Sequence, residues 1–185
     1  MVLVLLADKF EEIEAVYPVD VLRRCGVEVK TVGVGGDCIT GSNGITVKPD
    51  ISIDDVGYEN HIDMLVLPGG PGRTNLKTNS KAFDLIKHCC DVGVPLAAIC
   101  GAPEILGEIG FLEGKKATCY PGLEKNLVGA LVTDEPVVKD ESGKSIVITA
   151  QGAGTSEAFA FAIAEFLCGK EKADDVYKRM ICGKK

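Results

Sequence analysis

A cysteine flanked by very small residues lies in the stretch 94–103, immediately before a predicted helix. The apolar first half of this stretch is typical of a strand buried on both faces of a parallel sheet, and Pro103 favours the first turn of a helix. Cys100 is therefore predicted at a sharp strand-to-helix turn. Ala98 and Ala102, two residues before and after it, leave the space that a nucleophile elbow needs. The pattern predicts Cys100 as a nucleophile.

The position of Cys100 also bears on its protonation. A helix that begins directly after the sulfur favours thiolate over thiol, so we expect the pKa of Cys100 to be lowered. The alternative is a buried structural cysteine, because free cysteines are among the most buried residues in proteins. The coincidence of the small residues with the helix start favours the reactive cysteine.

A glycine-rich loop, residues 67–72, follows the strand predicted at 63–67. The carboxyl ends of parallel strands meet at one edge of a sheet, so this loop is expected to face Cys100. The backbone N–H groups of Gly70 and Gly101 could then form an oxyanion hole for a developing negative charge. The alternative is a tight turn that needs glycine for its positive φ, and the loop alone favours neither interpretation.

Three carboxylates, Glu11, Glu12 and Glu14, open the first predicted helix. Acidic side chains in a first turn complement the helix dipole, which explains any one of them without a catalytic role. Glu14 differs in helical phase, so we expect it to point inward while Glu11 and Glu12 remain exposed to solvent. A buried, protonated Glu14 could hydrogen-bond a thiolate and later transfer a proton.

The two histidines restrict the chemistry further. His61 precedes a strand and so is expected at the sheet edge opposite Cys100, while His88 lies in the middle of a predicted helix. A cysteine–histidine hydrolase needs its base beside the nucleophile, so neither histidine is expected to serve. The histidines and the eight cysteines show no metal-ligand spacing. We therefore expect neither a metal ion nor another cofactor.

Composition narrows the class of protein. The chain has 185 residues, which fits one domain over 1–185, and its net charge of −7 offers no basic face for nucleic acid or anionic lipid. No apolar run reaches the length of a membrane span, and the N-terminus lacks the charged region of a signal peptide. Because the cysteines are then not those of a small secreted protein, a reducing, cytoplasmic location is expected.

Strand and helix patterns alternate along the chain, which predicts an α/β fold with a mostly parallel sheet and helices on both faces. The turn Ser42-Asn43-Gly44 predicts a hairpin between about 38–41 and 45–48. The predicted strands cover 2–7, 27–34, 63–67, 94–99, 117–119, 131–139 and 145–149. The predicted helices cover 11–25, 79–91, a segment from 104 onward, 155–167 and the C-terminal region. In such a sheet the ligand site lies beyond the carboxyl ends of the strands.

Five short segments, taken together, resemble one known family. They are Glu11-Glu12-Ile13-Glu14-Ala15, Pro18-Val19-Asp20, Leu67-Pro68-Gly69-Gly70, Ala97-Ala98-Ile99-Cys100 and Gln151-Gly152-Ala153-Gly154-Thr155. The chain is similar to the ThiJ/PfpI (DJ-one) superfamily in this order from residue 2 to about 170, and most similar to its branch of the Parkinson-disease-associated deglycase and bacterial relatives. The resemblance implies a flavodoxin-like three-layer sandwich, like that of class I glutamine amidotransferases, and usually a homodimer.

For the site, the resemblance implies that the family's nucleophile falls on Cys100, its protonated glutamate on Glu14, and its oxyanion donors on Gly70 and Gly101. Members are described as glutathione-independent glyoxalases or deglycases, as cysteine-based redox sensors and as chaperones; some are associated with thiamine (thiazole phosphate) biosynthesis, and others are proteases with a Cys–His pair. We expect a glyoxalase or deglycase, a lyase or hydrolase without a catalytic histidine, acting on a small aldehyde such as methylglyoxal. A redox sensor, a chaperone and a thiamine-associated protein are the alternatives.

Two positions depart from the family pattern. Tyr120 stands where the deglycase branch often has a histidine, which disfavours protease or amidase activity. Asn43 stands where an arginine often follows the hairpin serine, which changes the polar surroundings that stabilise an oxidised cysteine. Tyr120 is a candidate auxiliary residue. Cys119 beside it could resolve a sulfenate as a disulfide, although an ordinary strand-end cysteine is the simpler interpretation.

Overall fold

A computed structural model describes residues 1–57 and 61–183, in which strands and helices alternate. The strands are β1 (Val2–Ala7), β2 (Val29–Val34), β3 (Ile39–Thr40), β4 (Thr46–Val47), β5 (Ile51–Ser52), β6 (Met64–Leu67), β7 (Leu96–Ile99), β8 (Lys116–Ala117), β9 (Leu131–Val132), β10 (Val137–Asp140) and β11 (Val147–Ala150). The α-helices are α1 (Glu12–Arg24), α2 (Arg73–Thr78), α3 (Ser80–Val92), α4 (Pro103–Glu108), α5 (Ser156–Cys168) and α6 (Lys170–Arg179). Within this part of the chain, no helix has the length and apolar character needed to cross a membrane.

One large sheet runs through the middle of the described structure, with its strands in the order β10-β11-β7-β6-β1-β2-β5. β10 is antiparallel to β11, and every other neighbouring pair in this sheet is parallel. The predicted hairpin is present as the antiparallel pair β3–β4, and β8 pairs with β9 in a separate small sheet. The predicted α/β fold with a mostly parallel sheet is confirmed.

The first strand shows how the two faces of this sheet are filled. Leu3 and Leu5 belong to the core on one face, and Val2 and Val4 to the core on the other, because successive side chains of a strand alternate. Helices α2, α3 and α4 add buried side chains to the first face, and α1, α5 and α6 to the second. The result is the predicted three-layer, flavodoxin-like sandwich.

Some predicted elements have different boundaries in the structure. The strand predicted at 131–139 is divided into β9 and β10, with Pro136 between them; proline cannot donate a ladder hydrogen bond and restricts the residue before it. The helix predicted after the cysteine strand is confirmed but ends at Glu108, and Gly110 then takes a positive φ of 76°. The short helix α2, which starts at Arg73, was not predicted.

A buried hydroxyl connects β11 to the segment that leads from β8 toward the elbow. Thr149 is fully buried, and its Oγ1 accepts a hydrogen bond of 2.9 Å from the backbone N–H of Thr118, which is also buried. Buried backbone donors need a partner, because water cannot replace it there. Thr149 therefore helps to place Thr118 and the residues that follow it.

Thr149→Val is expected to lower the free energy of unfolding by about 1–3 kcal/mol, because valine keeps the shape but leaves the Thr118 N–H without an acceptor. Thr78→Val is a suitable control, since the exposed Thr78 hydroxyl donates only to carbonyl groups of its own helical turn. Urea denaturation followed by circular dichroism measures both variants. Equal small changes in the two would contradict the role of Thr149.

Candidate active site

Cys100 lies at the end of β7 in a strained backbone conformation. Its φ of 63° is in the left-handed region that residues with a side chain seldom adopt. The backbone on both sides holds this conformation: the Cys100 N–H donates to the carbonyl of Ala150 at 2.9 Å, and its carbonyl accepts from the N–H of Tyr120 at 2.8 Å. Ala98 and Ala102 are fully buried around the turn. The structure thus places Cys100 on the predicted elbow.

The Glu14 carboxyl lies beside Cys100, in the first turn of α1. Glu14 is fully buried, and its Oε2 accepts a hydrogen bond of 2.8 Å from the N–H of Gly69. Burial raises the pKa of Glu14 to about 7; the Gly69 N–H lowers it, the charge of Glu11 raises it, and contact with the Cys100 thiol lowers it. A carboxyl with this pKa can both donate and accept a proton near neutral pH.

The glycine loop approaches Cys100 more closely than any side chain would allow. A Cβ on Gly69 would lie 2.6 Å from the Cβ of Cys100 and 2.7 Å from Oε2 of Glu14. The carbonyl of Gly69 accepts from the N–H of Glu11 at 3.1 Å. Because the C=O and N–H of a trans peptide point in opposite directions, this bond turns the N–H of Gly70 toward Cys100. The loop supplies its amide through the absence of a side chain at position 69.

Both predicted oxyanion donors reach the Cys100 sulfur. Burial and then the negative charge of Glu14 raise the pKa of Cys100 to about 11, although hydrogen bonds from the backbone N–H groups of Gly70 and Gly101 act to lower it. The expectation of a lowered pKa is therefore wrong: α4 has only six residues, and desolvation and a neighbouring carboxylate dominate. Protonation of Glu14 removes this repulsion, so the thiolate forms more easily beside the neutral carboxyl than beside the carboxylate.

A pocket of about 370 Å³ opens above the Cys100 sulfur. Its volume suits a small molecule, and it brings the nucleophile together with both amide donors. Its wall consists of Gly70, Pro71, Arg73, Cys100, Gly101, Tyr120, Pro121, Gly122 and Leu123.

The two predicted auxiliary residues lie next to this pocket in different ways. Tyr120 is 53% exposed and forms part of the pocket wall, with its ring facing Gly152. Cys119 is buried, its thiol donates to the Tyr120 carbonyl at 3.5 Å, and it lines a neighbouring pocket of about 470 Å³. The structure places both close to Cys100, and their auxiliary roles stay predictions.

The expectation that Glu12 stays exposed is wrong. Only 5% of Glu12 is exposed, because its carboxylate accepts hydrogen bonds from the backbone N–H of Asn43 (2.7 Å) and from the Asn43 side chain (2.9 Å). Burial raises the pKa of Glu12, but these hydrogen bonds lower it below its ordinary value. A side chain on Gly41 would collide with this carboxylate. Glu12 therefore links the β3–β4 hairpin to α1 by hydrogen bonds, two of which come from Asn43.

The histidines lie away from the elbow. His61 and His88 line a pocket beside Val94 and Pro95, at the amino ends of β6 and β7, and His61 pairs with Asp63 at 3.0 Å. Cys100 is at the carboxyl end of β7, so the two histidines are at the opposite edge of the sheet, as predicted. Across the described residues, no group of three or more His, Cys, Asp or Glu side chains is arranged to hold a metal ion.

Sequence reasoning did not identify Gly69 or an ion pair between Arg73 and Glu104, whose Nε and Oε1 are 2.9 Å apart. One signal for the pair was available. Arg73 directly follows the glycine loop, and Glu104 lies four residues after Cys100. Opposite charges on two loops that are predicted at the same sheet edge favour such a contact.

Comparisons with known proteins identify relatives of this chain. The chain is 39% identical over 183 residues to protein dj-1beta of Drosophila melanogaster, which covers 97% of this chain and 95% of the relative. It is 37% identical over 141 residues to deglycase PfpI of Pyrococcus furiosus, with 75% and 84% covered. The solved structure of oxidized DJ-1 from Toxoplasma gondii aligns with a TM-score of 0.90 at 31% identity, over 99% of this chain and 98% of that one. Residues 1–166 match the DJ-1/PfpI family model, and the chain belongs to the DJ-1/PfpI family.

Proposed function

We propose that the protein is a cysteine-dependent, glutathione-independent glyoxalase or deglycase that acts on small reactive carbonyl compounds such as methylglyoxal. The arrangement around the Cys100 sulfur supports this function most directly. Two backbone amides, from Gly70 and Gly101, reach the sulfur, and the buried carboxyl of Glu14 with a pKa of about 7 lies beside it. Relatives named deglycase support the same class of reaction.

The first step is addition of the Cys100 thiolate to the aldehyde carbon. A C–S bond forms, and the π electrons of the carbonyl move onto its oxygen. The N–H groups of Gly70 and Gly101 stabilise this oxyanion, because both hydrogen-bond to Cys100 and so lie next to the carbon that the sulfur attacks. Neutral Glu14 then transfers its proton to the oxygen, which yields a hemithioacetal and a carboxylate.

The second step moves a proton between two carbons. The Glu14 carboxylate removes the hydrogen of the former aldehyde carbon and returns it to the neighbouring carbonyl carbon, through an enediol. The product is a thioester of a hydroxy acid, and water hydrolyses it to release lactate and the thiol. Oxidation of the first carbon is balanced by reduction of the second, so methylglyoxal and water give lactate without an external oxidant.

Cys100→Ala is expected to abolish conversion of methylglyoxal to lactate, and Glu14→Gln to reduce it by at least about a hundredfold, because glutamine cannot transfer a proton. Lactate release in the absence of glutathione is the measurement. Cys38→Ala is the control, since Cys38 is an exposed cysteine in a different loop. Full activity of Cys100→Ala, or no turnover by the wild type, would refute the glyoxalase proposal.

The pH dependence of Cys100 alkylation is expected to change when the charge of Glu14 is removed. Alkylation by iodoacetamide reports the thiolate, and in the wild type its rate should rise toward the Cys100 pKa of about 11. Glu14→Gln removes the negative charge that raises this pKa, so the alkylation midpoint should move to lower pH while carbonyl turnover falls. Peptide mass spectrometry quantifies Cys100 separately from the other cysteines.

Glu108→Gln is the control, because it also removes one negative charge but Glu108 does not contribute to the raised pKa of Cys100. An identical alkylation profile in wild type and Glu14→Gln would mean that Glu14 does not act on the sulfur.

A redox sensor is the second candidate. Sulfinate oxygens on Cys100 would accept hydrogen bonds from the same two amides that serve an oxyanion, and the similar Toxoplasma gondii DJ-1 structure is of the oxidized protein. The replacement of the family's arginine by Asn43 weakens this candidate, because Asn43 is bound to Glu12.

Mild peroxide is expected to oxidise Cys100 before Cys38, although Cys38 is exposed and Cys100 only partly so. The physical reason is that the amides of Gly70 and Gly101 stabilise the oxidised sulfur, while Cys38 depends on access alone. Peptide mass spectrometry after a peroxide titration measures the order. Oxidation of Cys38 first would exclude Cys100 as a sensor.

A further inference from the structure

Arg73 forms part of the wall of the Cys100 pocket and contacts several groups there. It is the first residue of α2, directly after the glycine loop. Its Nε donates to Oε1 of Glu104 at 2.9 Å, and its Nη1 donates to the carbonyl of Gly70 at 3.2 Å. Only 26% of the Arg73 side chain and 9% of the Glu104 side chain are exposed. The contact is therefore largely protected from water, where the attraction between opposite charges is stronger than at the surface.

The contact between Arg73 and the Gly70 carbonyl restricts the backbone of Gly70. The peptide before Gly70 is held by the N–H of Glu11, which binds the Gly69 carbonyl. The peptide after Gly70 is held by Arg73, whose backbone N–H (3.3 Å) and Nη1 (3.2 Å) both donate to the Gly70 carbonyl. Gly70 has a φ of 81°, and because it has no side chain its backbone could adopt many other conformations. Arg73 restricts those alternatives.

Packing of the Arg73 side chain against Gly101 restricts the position of that glycine. A Cβ on Gly101 would lie 2.6 Å from both Cδ and Nε of Arg73, so the arginine side chain packs directly against this glycine. The carbonyl of Gly101 accepts from the N–H of Glu104 at 3.2 Å, and Glu104 is the ion-pair partner of Arg73. One side chain thus touches both residues that supply the amide donors.

The charge of Arg73 is already balanced. Glu104 accepts from Arg73 on one oxygen and from Nδ2 of Asn126 at 3.1 Å on the other, and Nζ of Lys77 lies 4.0 Å away. A guanidinium paired with a buried carboxylate attracts an anionic ligand weakly, because the two charges cancel at a short distance. Positioning of the loop explains the arrangement better than binding of an anion.

We propose that Arg73 is a positioning residue that sets the distance between the Gly70 and Gly101 amides, with Glu104 holding its guanidinium in place. This inference rests on the proposed use of the two amides as oxyanion donors. A small displacement of either donor weakens transition-state stabilisation, since hydrogen bonds depend steeply on distance and direction. Arg73 acts through the two glycines and needs no contact with the reacting carbonyl.

Arg73→Met is expected to lower kcat for methylglyoxal by about tenfold or more while KM stays within about twofold, because the transition state loses stabilisation and the ground state does not. Arg73→Lys keeps the charge opposite Glu104 but lacks the fork that reaches Gly70, so its kcat should fall similarly. Arg24→Met is the matched control: Arg24 pairs with the exposed Asp20 at 2.7 Å and is not part of the pocket wall. Its kcat should equal that of the wild type.

Loss of Arg73 leaves Glu104 without its main partner, which could unfold the protein for an unrelated reason. The double variant Arg73→Met/Glu104→Gln removes both charges, and we expect it to unfold at the wild-type temperature with the same loss of kcat as Arg73→Met. A double variant with wild-type kcat would overturn the proposal. So would a rise in KM confined to an anionic carbonyl such as glyoxylate, which would indicate anion binding.

Alkylation of Cys100 provides a readout that does not require carbonyl turnover. Because the two amides lower the pKa of Cys100, their displacement should move the alkylation midpoint to higher pH in Arg73→Met, whereas Arg24→Met should leave the midpoint unchanged. Absence of turnover in the wild type would refute the glyoxalase function alone. An unshifted alkylation midpoint in Arg73→Met would refute the positioning role, whatever the turnover.

Discussion

The hydrogen bond between the N–H of Gly69 and the buried carboxyl of Glu14 is the contact on which the site depends. It joins the first turn of α1 to the loop after β6, and Cys100 lies against both. Burial of a carboxyl is unfavourable for its charged form, and a single amide donor compensates only in part. The Glu14 pKa of about 7 reflects that balance, and the Cys100 pKa of about 11 reflects first the burial of the thiol and then the charge placed next to it.

The order of the strands in the sheet brings the two partners of this contact together. β1, β6 and β7 are adjacent and parallel, so the helix after β1, the loop after β6 and the elbow after β7 begin at the same edge. The three strands are fully buried, which leaves little freedom for the loops to change their separation. Residues distant in the chain are thus held next to one another at this edge of the sheet.

Local chemistry explains which features could be predicted from the sequence. Cys100, Glu14, Gly70 and Gly101 were identified because the elbow needs small neighbours, the helix phase directs Glu14 inward, and parallel strands bring their ends together. The Cys100 pKa was predicted in the wrong direction, since burial and a neighbouring carboxylate depend on tertiary packing. The exposure of Glu12 was predicted wrongly for the same reason, as its hydrogen-bond partner lies in the hairpin. The homodimer implied by the resemblance stays a prediction.

The left-handed backbone of Cys100 has a consequence for how this fold can change through evolution. At a φ of 63°, the residue that suits the backbone best is glycine, and any side chain there reduces the stability of the native state. A cysteine at this position is therefore retained at a cost in stability that only selection on its chemistry would maintain. A descendant released from that selection could gain stability and lose its thiol in a single substitution, with no other change in the fold.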